Sequence, residues 1–155
     1  MKKLVTLLAL CCAVLTVAGC NKPRQIPMHG AAVDDPTKSA TLQEGSLLFR
    51  ALDGQQMPLK DTPNPFADVV YAITAGRHKI GAINIQGGHV ALPENMKCYS
   101  FDVDMQPGVE YLIGEDKDRG VAYIKRKDTD QILQEVKPFD KIFPYENICD
   151  WKSQL

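Results

Sequence analysis

Beyond residue 45 the chain alternates apolar and polar positions with a period of two, the spacing at which successive side chains of a strand face opposite ways. The cleanest stretch is Tyr99, Phe101, Val103 and Met105, interleaved with Ser100, Asp102 and Asp104. That pattern predicts a strand with one buried and one wet face. The same reading predicts strands over residues 46–52 (SLLFRAL), 67–73 (ADVVYAI), 77–85 (RHKIGAINI), 109–113, 121–125 and 131–136. Turn residues separate them: Asp53-Gly54, Thr74-Ala75-Gly76, Gly87-Gly88, Pro107-Gly108 and the polar tip at 127–130. About seven short strands with turn signals between them predict an all-β domain over 46–155, an antiparallel β-sandwich with a barrel as the alternative closure. Residues 137–155 carry Phe139, Phe143, Tyr145 and Trp151 without a clean period and are read as a C-terminal tail.

The N-terminal pattern is different. Leu4 through Val17 is an uncharged, almost wholly apolar run behind Lys2 and Lys3, and it ends in the small residues Ala18 and Gly19. At about fourteen residues it is shorter than the roughly twenty that a membrane-spanning helix needs, so residues 1–19 are read as a secretory signal. Residues 21–45 hold Pro23, Pro27, Pro36 and Asp34-Asp35 but no aromatic residue. Such a composition buries little apolar surface, and the expectation for 20–45 is a flexible, disordered tether that spans on the order of 25 to 30 Å.

Val17-Ala18-Gly19-Cys20 resembles the lipobox of bacterial lipoproteins. That resemblance implies cleavage before Cys20, a diacylglyceryl (palmitate-type) anchor on its thiol and a further acyl chain on its new amine. Each buried methylene contributes about 0.8 kcal/mol, so three chains hold a protein on a membrane effectively permanently. Asn21 stands where an Asp would signal retention at the inner membrane, which implies an outer-membrane anchor with the domain facing the periplasm. Ala75-Gly76-Arg77-His78-Lys79-Ile80, with Phe101-x-Val103-x-Met105-x-x-Gly108-x-x-Tyr111-x-Ile113 downstream, resembles small envelope lipoproteins that carry a prealbumin-like or PEGA-like β-sandwich. This second resemblance implies a fold and no chemistry.

Composition narrows the classes further. The 155 residues include 18 basic and 19 acidic side chains, so no basic footprint points to nucleic acid. With 45% hydrophobic and 24% charged residues, wholesale disorder is excluded. The five cysteines divide by position. Cys11 and Cys12 belong to the apolar run of the signal, and Cys20 is the lipidation candidate. Cys98 and Cys149 remain, and in an oxidising periplasm their one intramolecular pairing predicts a structural disulfide. Closing a loop of about 50 residues contributes on the order of 4 kcal/mol and would pin the tail to the domain. The pair lacks the C-x-x-C spacing of redox-active thiols.

Catalytic motifs are absent from the sequence: there is no G-x-S-x-G, no P-loop, no H-E-x-x-H and no dinucleotide fingerprint. His78, His89 and Asp102 are candidates for a small hydrolase or metal site, but without zinc-type spacing they read as surface residues of strand and turn. Asp116-x-Asp118-x-Gly120 starts like a calcium loop and lacks its later ligands, so it reads as a hairpin turn. Asp102 and Asp104 share a strand face that reads as solvated. The expectation is a non-enzymatic lipoprotein with no metal or cofactor. It would sit on a membrane through its anchor and bind an envelope protein or polysaccharide through end loops such as 57–66, which display Phe66. A periplasmic inhibitor or ligand carrier is a further alternative.

Overall fold

The computed structural model describes residues 24–57, 69–84, 96–139 and 149–155. Among these residues ten strands run in chain order: β1 Arg24–Pro27, β2 Ser39–Glu44, β3 Leu48–Leu52, β4 Gln55–Gln56, β5 Val69–Thr74, β6 Gly76–Asn84, β7 Lys97–Met105, β8 Glu110–Asp116, β9 Val121–Arg126 and β10 Ile132–Val136. They form a six-stranded sheet in the order β1-β5-β2-β8-β9-β10 and a four-stranded sheet in the order β4-β3-β6-β7. The alternation in the sequence places Tyr99, Phe101, Val103 and Met105 of β7 inward. There they meet Tyr71, Ile73, Tyr111, Ile113 and Ile124 of the opposite sheet in one buried core. Phe49 and Tyr71 close it edge to face, with ring centroids 4.8 Å apart. The fold is therefore the all-β sandwich that the sequence predicts.

Turn chemistry sets several connections. Asp53 and Gly54 both have positive φ, 50° and 74°, as a two-residue hairpin turn requires, and Leu52 pairs with Gln55 across it. Gly120 (φ 65°) ends the β8–β9 turn, where the Asp116 carboxylate accepts the N–H groups of Asp118 and Arg119 at 3.1 Å. This segment is the hairpin tip expected of it.

Two expectations are corrected. The segment expected to be a disordered tether contributes β1 and β2, and β2 lies inside the six-stranded sheet between β5 and β8. Its Ala40 and Leu42 are fully buried. Overall composition hides this, because a strand flanked on both sides needs only a small and one large inward residue when its neighbours supply the rest of the core. The domain thus includes residues 24–44, ahead of the expected boundary at 45/46. The sandwich is also mixed and not purely antiparallel: β1 runs parallel to β5, and β2 parallel to β8. Parallel neighbours arise here because the chain changes sheets between them, a long-range choice that local turn signals do not encode.

The β7 edge of the four-stranded sheet is covered. On β7 the Cys98 carbonyl accepts the Phe139 N–H at 2.9 Å, and the Asp102 N–H is held by Gln134 Oε1 of β10 at 2.8 Å. Single side chains and a bridge thus close the gap between the two sheets on that side.

Candidate functional site

Cys98 and Cys149 form a disulfide with a Cα–Cα distance of 5.8 Å. It brings residues 149–155 onto the outer face of the four-stranded sheet, where Trp151, 7% exposed, packs with Ala51, Ile83 and Met96. Gly81 makes this possible: a Cβ there would lie 2.6 Å from the indole ring. Lys79 Nζ donates to the Gln154 carbonyl at 2.7 Å, and Phe139 meets Trp151 edge to face at 5.6 Å. For the described part of the tail, the disulfide does the pinning that was expected of it.

Of the residues considered for a hydrolase or metal site, the described pair His78 and Asp102 is not brought together. His78 lies opposite Val103, facing inward, whereas Asp102 lies opposite Lys79 on the outer face. The His78 ring is already engaged at both nitrogens. Nδ1 meets Asp53 Oδ2 at 2.8 Å, and Nε2 meets the Thr74 carbonyl at 2.8 Å. Asp102 takes a two-pronged ion pair from Arg77 at 2.7 and 2.8 Å, which holds its carboxyl below the usual range. Asp104 accepts from Gln106 at 3.2 Å. His89, Phe66 and Cys20 lie outside the described residues, as does the 57–66 loop apart from Met57, which is buried in the core. Among the described residues no cluster of three His, Cys, Asp or Glu side chains is placed to hold a metal.

At one end of the sandwich two inward carboxylates tie the sheets together. Glu115 of β8, whose side chain is 1% exposed, accepts from Tyr99 at 2.7 Å, from Asn84 Nδ2, and from Lys97 Nζ at 3.4 Å. The neighbouring carboxylate and burial both push the Tyr99 phenol upward, burial most. Glu44 accepts the Phe49 N–H at 2.7 Å and the Tyr71 hydroxyl at 3.3 Å, and burial raises its carboxyl. Arg50 beside it is lowered, again chiefly by burial. Both carboxylates accept hydrogen bonds from groups of the fold, and the arrangement is that of an inter-sheet tie.

The open site is elsewhere. By strand alternation Ser39 and Thr41 of β2 face outward, opposite the buried Ala40 and Leu42. Over them the 28–38 segment folds back. His29 and Gly30 both have positive φ, and Ala31 N–H returns to the Met28 carbonyl at 2.9 Å. Asp34 then takes φ 63°, and Asp35 caps the next turn by accepting the Thr37 N–H at 3.1 Å and hydroxyl at 2.6 Å. These bonds, with Lys38, hold the Asp35 carboxyl below its usual range. On the far side the Gly108 turn packs on Pro36, and its N–H donates to the Ser39 carbonyl at 2.9 Å. Between them lies an open recess of about 410 Å³, lined by Gln25, Asp34, Asp35, Ser39, Thr41 and Glu110 among others. A second recess of about 380 Å³ shares Gly108 and Glu110 and extends to Lys127 and Asp128.

Most of the first recess lies in the segment that composition assigned to a tether. The usable signal was Ala40 and Leu42 alternating with Ser39, Thr41 and Gln43, together with Asp34-Asp35-Pro36 as a turn. The class defined by fold and surface is a disulfide-stapled β-sandwich with an acidic outer recess. Comparison of the chain with protein-family models, curated proteins and solved structures finds no match, so the functional reading rests on the chain's own chemistry.

Proposed function

We propose that this protein is an exported, lipid-anchored binding or accessory module of a bacterial cell envelope, non-enzymatic, acting on another envelope protein or a polysaccharide. The observation that carries the reading is the Cys98–Cys149 disulfide. Such bonds persist in oxidising compartments, the destination that the Lys2-Lys3 n-region, the apolar run and the Cys20 lipobox specify. Supporting the non-enzymatic part, His78 and Asp102 lie on opposite faces of their sheet, and the inward carboxylates Glu115 and Glu44 accept structural hydrogen bonds.

Metabolic labelling with a clickable fatty acid tests the anchor. The wild-type chain takes label and fractionates with outer membrane, whereas Cys20→Ser loses the label and accumulates as the uncleaved precursor. A Cys20→Ser chain that is processed and localised like wild type refutes the assignment.

A further inference from the structure

We propose that the outer recess of the six-stranded sheet binds an alkylammonium group, the charged end of a lysine side chain or of a free aliphatic diamine. The proposal deepens the reading of the protein as a binding module and names the chemistry its surface would recognise.

Asp34, Asp35 and Glu110 bring carboxylates to the recess, and a carboxylate only accepts hydrogen bonds. Two of the three are matched: Asp35 by Lys38 at 3.3 Å and Glu110 by Lys127 at 3.0 Å. The Asp34 carboxylate has no ion-pair or hydrogen-bond partner among the described residues, which leaves the recess with one unbalanced negative charge. A second, independent observation lies at its floor. Ser39 is 6% exposed, faces the recess from β2, and its hydroxyl has no hydrogen-bond partner among the described residues. A buried hydroxyl without a partner is unfavourable, and a ligand that donates to it removes that cost.

A ligand complementary to these groups carries positive charge and several N–H donors. An ammonium group has three donors on one atom. The non-polar lining, Ala32, Pro36 and Ala72, suits a methylene stem, and no aromatic ring lines the recess to stack on a guanidinium plane or a sugar face. These features select an aliphatic ammonium over an arginine side chain or a saccharide. The absence of a three-ligand cluster among the described residues argues the same way against a bare divalent cation.

Isothermal titration of the full chain in detergent tests this with Nα-acetyl-lysine amide, 1,5-diaminopentane and Nα-acetyl-norleucine amide, which lacks the ammonium. The expected result is saturable binding of one or both amines, at least about tenfold weaker for the norleucine compound and weakened by added salt. Binding of only the lysine compound assigns the site to peptide-borne lysine, and binding of only the diamine assigns it to a free amine. Asp34→Asn should lower affinity at least about tenfold while leaving the melting temperature unchanged, because Asn tolerates the positive φ of that position. Ser39→Ala should lower it about fivefold, and Glu110→Gln serves as a further variant should either fail to fold. If no amine saturates the protein, or if Asp34→Asn and Glu110→Gln bind like wild type, the proposal is overturned. The lipoprotein reading would then still stand or fall on Cys20 labelling alone.

Discussion

Reduction of the Cys98–Cys149 bond should release the C-terminal tail first and destabilise the sandwich second. The bond closes a separation of 51 residues, and the chain-entropy relation gives about 4 kcal/mol for a loop of that length. With a urea dependence of about 2 kcal/mol per molar for a domain of this size, the midpoint should fall by about 2 M. The tail has its own balance. Ordering residues 149–155 costs at least about 7 kcal/mol of backbone entropy. Burying Trp151 returns about 5 kcal/mol, and the Lys79–Gln154 hydrogen bond about 1. Without the covalent link the segment is close to break-even. Trp151 is the only tryptophan, so its emission reports the tail alone. In reducing buffer that emission should shift to the red at low urea while the far-ultraviolet strand signal persists, and in oxidising buffer the two transitions should coincide. Unchanged emission on reduction, with a midpoint that moves by less than about 0.5 M, would refute the reasoning.

The other predictions concern the core, the tail seat, the inter-sheet tie and acid. Leu42→Ala, at a fully buried position of β2, should cost about 2 to 5 kcal/mol by chemical denaturation; a cost below about 0.5 would mean the segment is a tether after all. Gly81→Ala places a methyl 2.6 Å from the Trp151 ring and 2.8 Å from Ala51, and should cost about 1 to 3 kcal/mol with a red-shifted emission. Glu115→Ala strands the Asn84 and Tyr99 donors and should cost about 3 kcal/mol, whereas Glu115→Gln, which keeps an acceptor, should recover much of it. Titration below neutrality should show two opposed effects. The carboxyls of Asp102, Asp128 and Glu135 are lowered by hydrogen bonds from Arg77, Arg126 and Arg119, so their contribution is present above the ordinary values of 3.8 and 4.5 and fades as pH falls through the lowered folded values. Glu44 is raised by burial, so its folded form holds a proton more tightly than the unfolded chain. It therefore adds a penalty as pH rises from the ordinary 4.5 through its raised folded value. Glu44→Gln should flatten that part of the stability profile, and a profile identical to wild type above pH 4.5 would refute the assignment.

What was legible in the sequence follows from local physics. Tyr99 to Met105 declared a strand because side chains alternate across a pleat whatever lies opposite, and Asp53-Gly54 declared a hairpin because few residues other than Gly, Asn and Asp accept two successive positive φ values. The pairing of Cys98 with Cys149 was legible because elimination left one choice within the domain. The chain by itself thus determined an all-β domain, its main strands and turns, and its covalent staple. Only the tertiary structure decided that Ala40 and Leu42 belong to a strand inside the sheet, that β2 runs parallel to β8, and that His78 and Asp102 face opposite ways. It also decided that Asp34 and Ser39 meet Glu110, about 70 residues away, around one recess. The physical reason is the same in each case. Burial and partner choice depend on what distant segments bring to a position, and a weakly apolar segment such as SATLQE becomes core only when β5 and β8 close on either side of it.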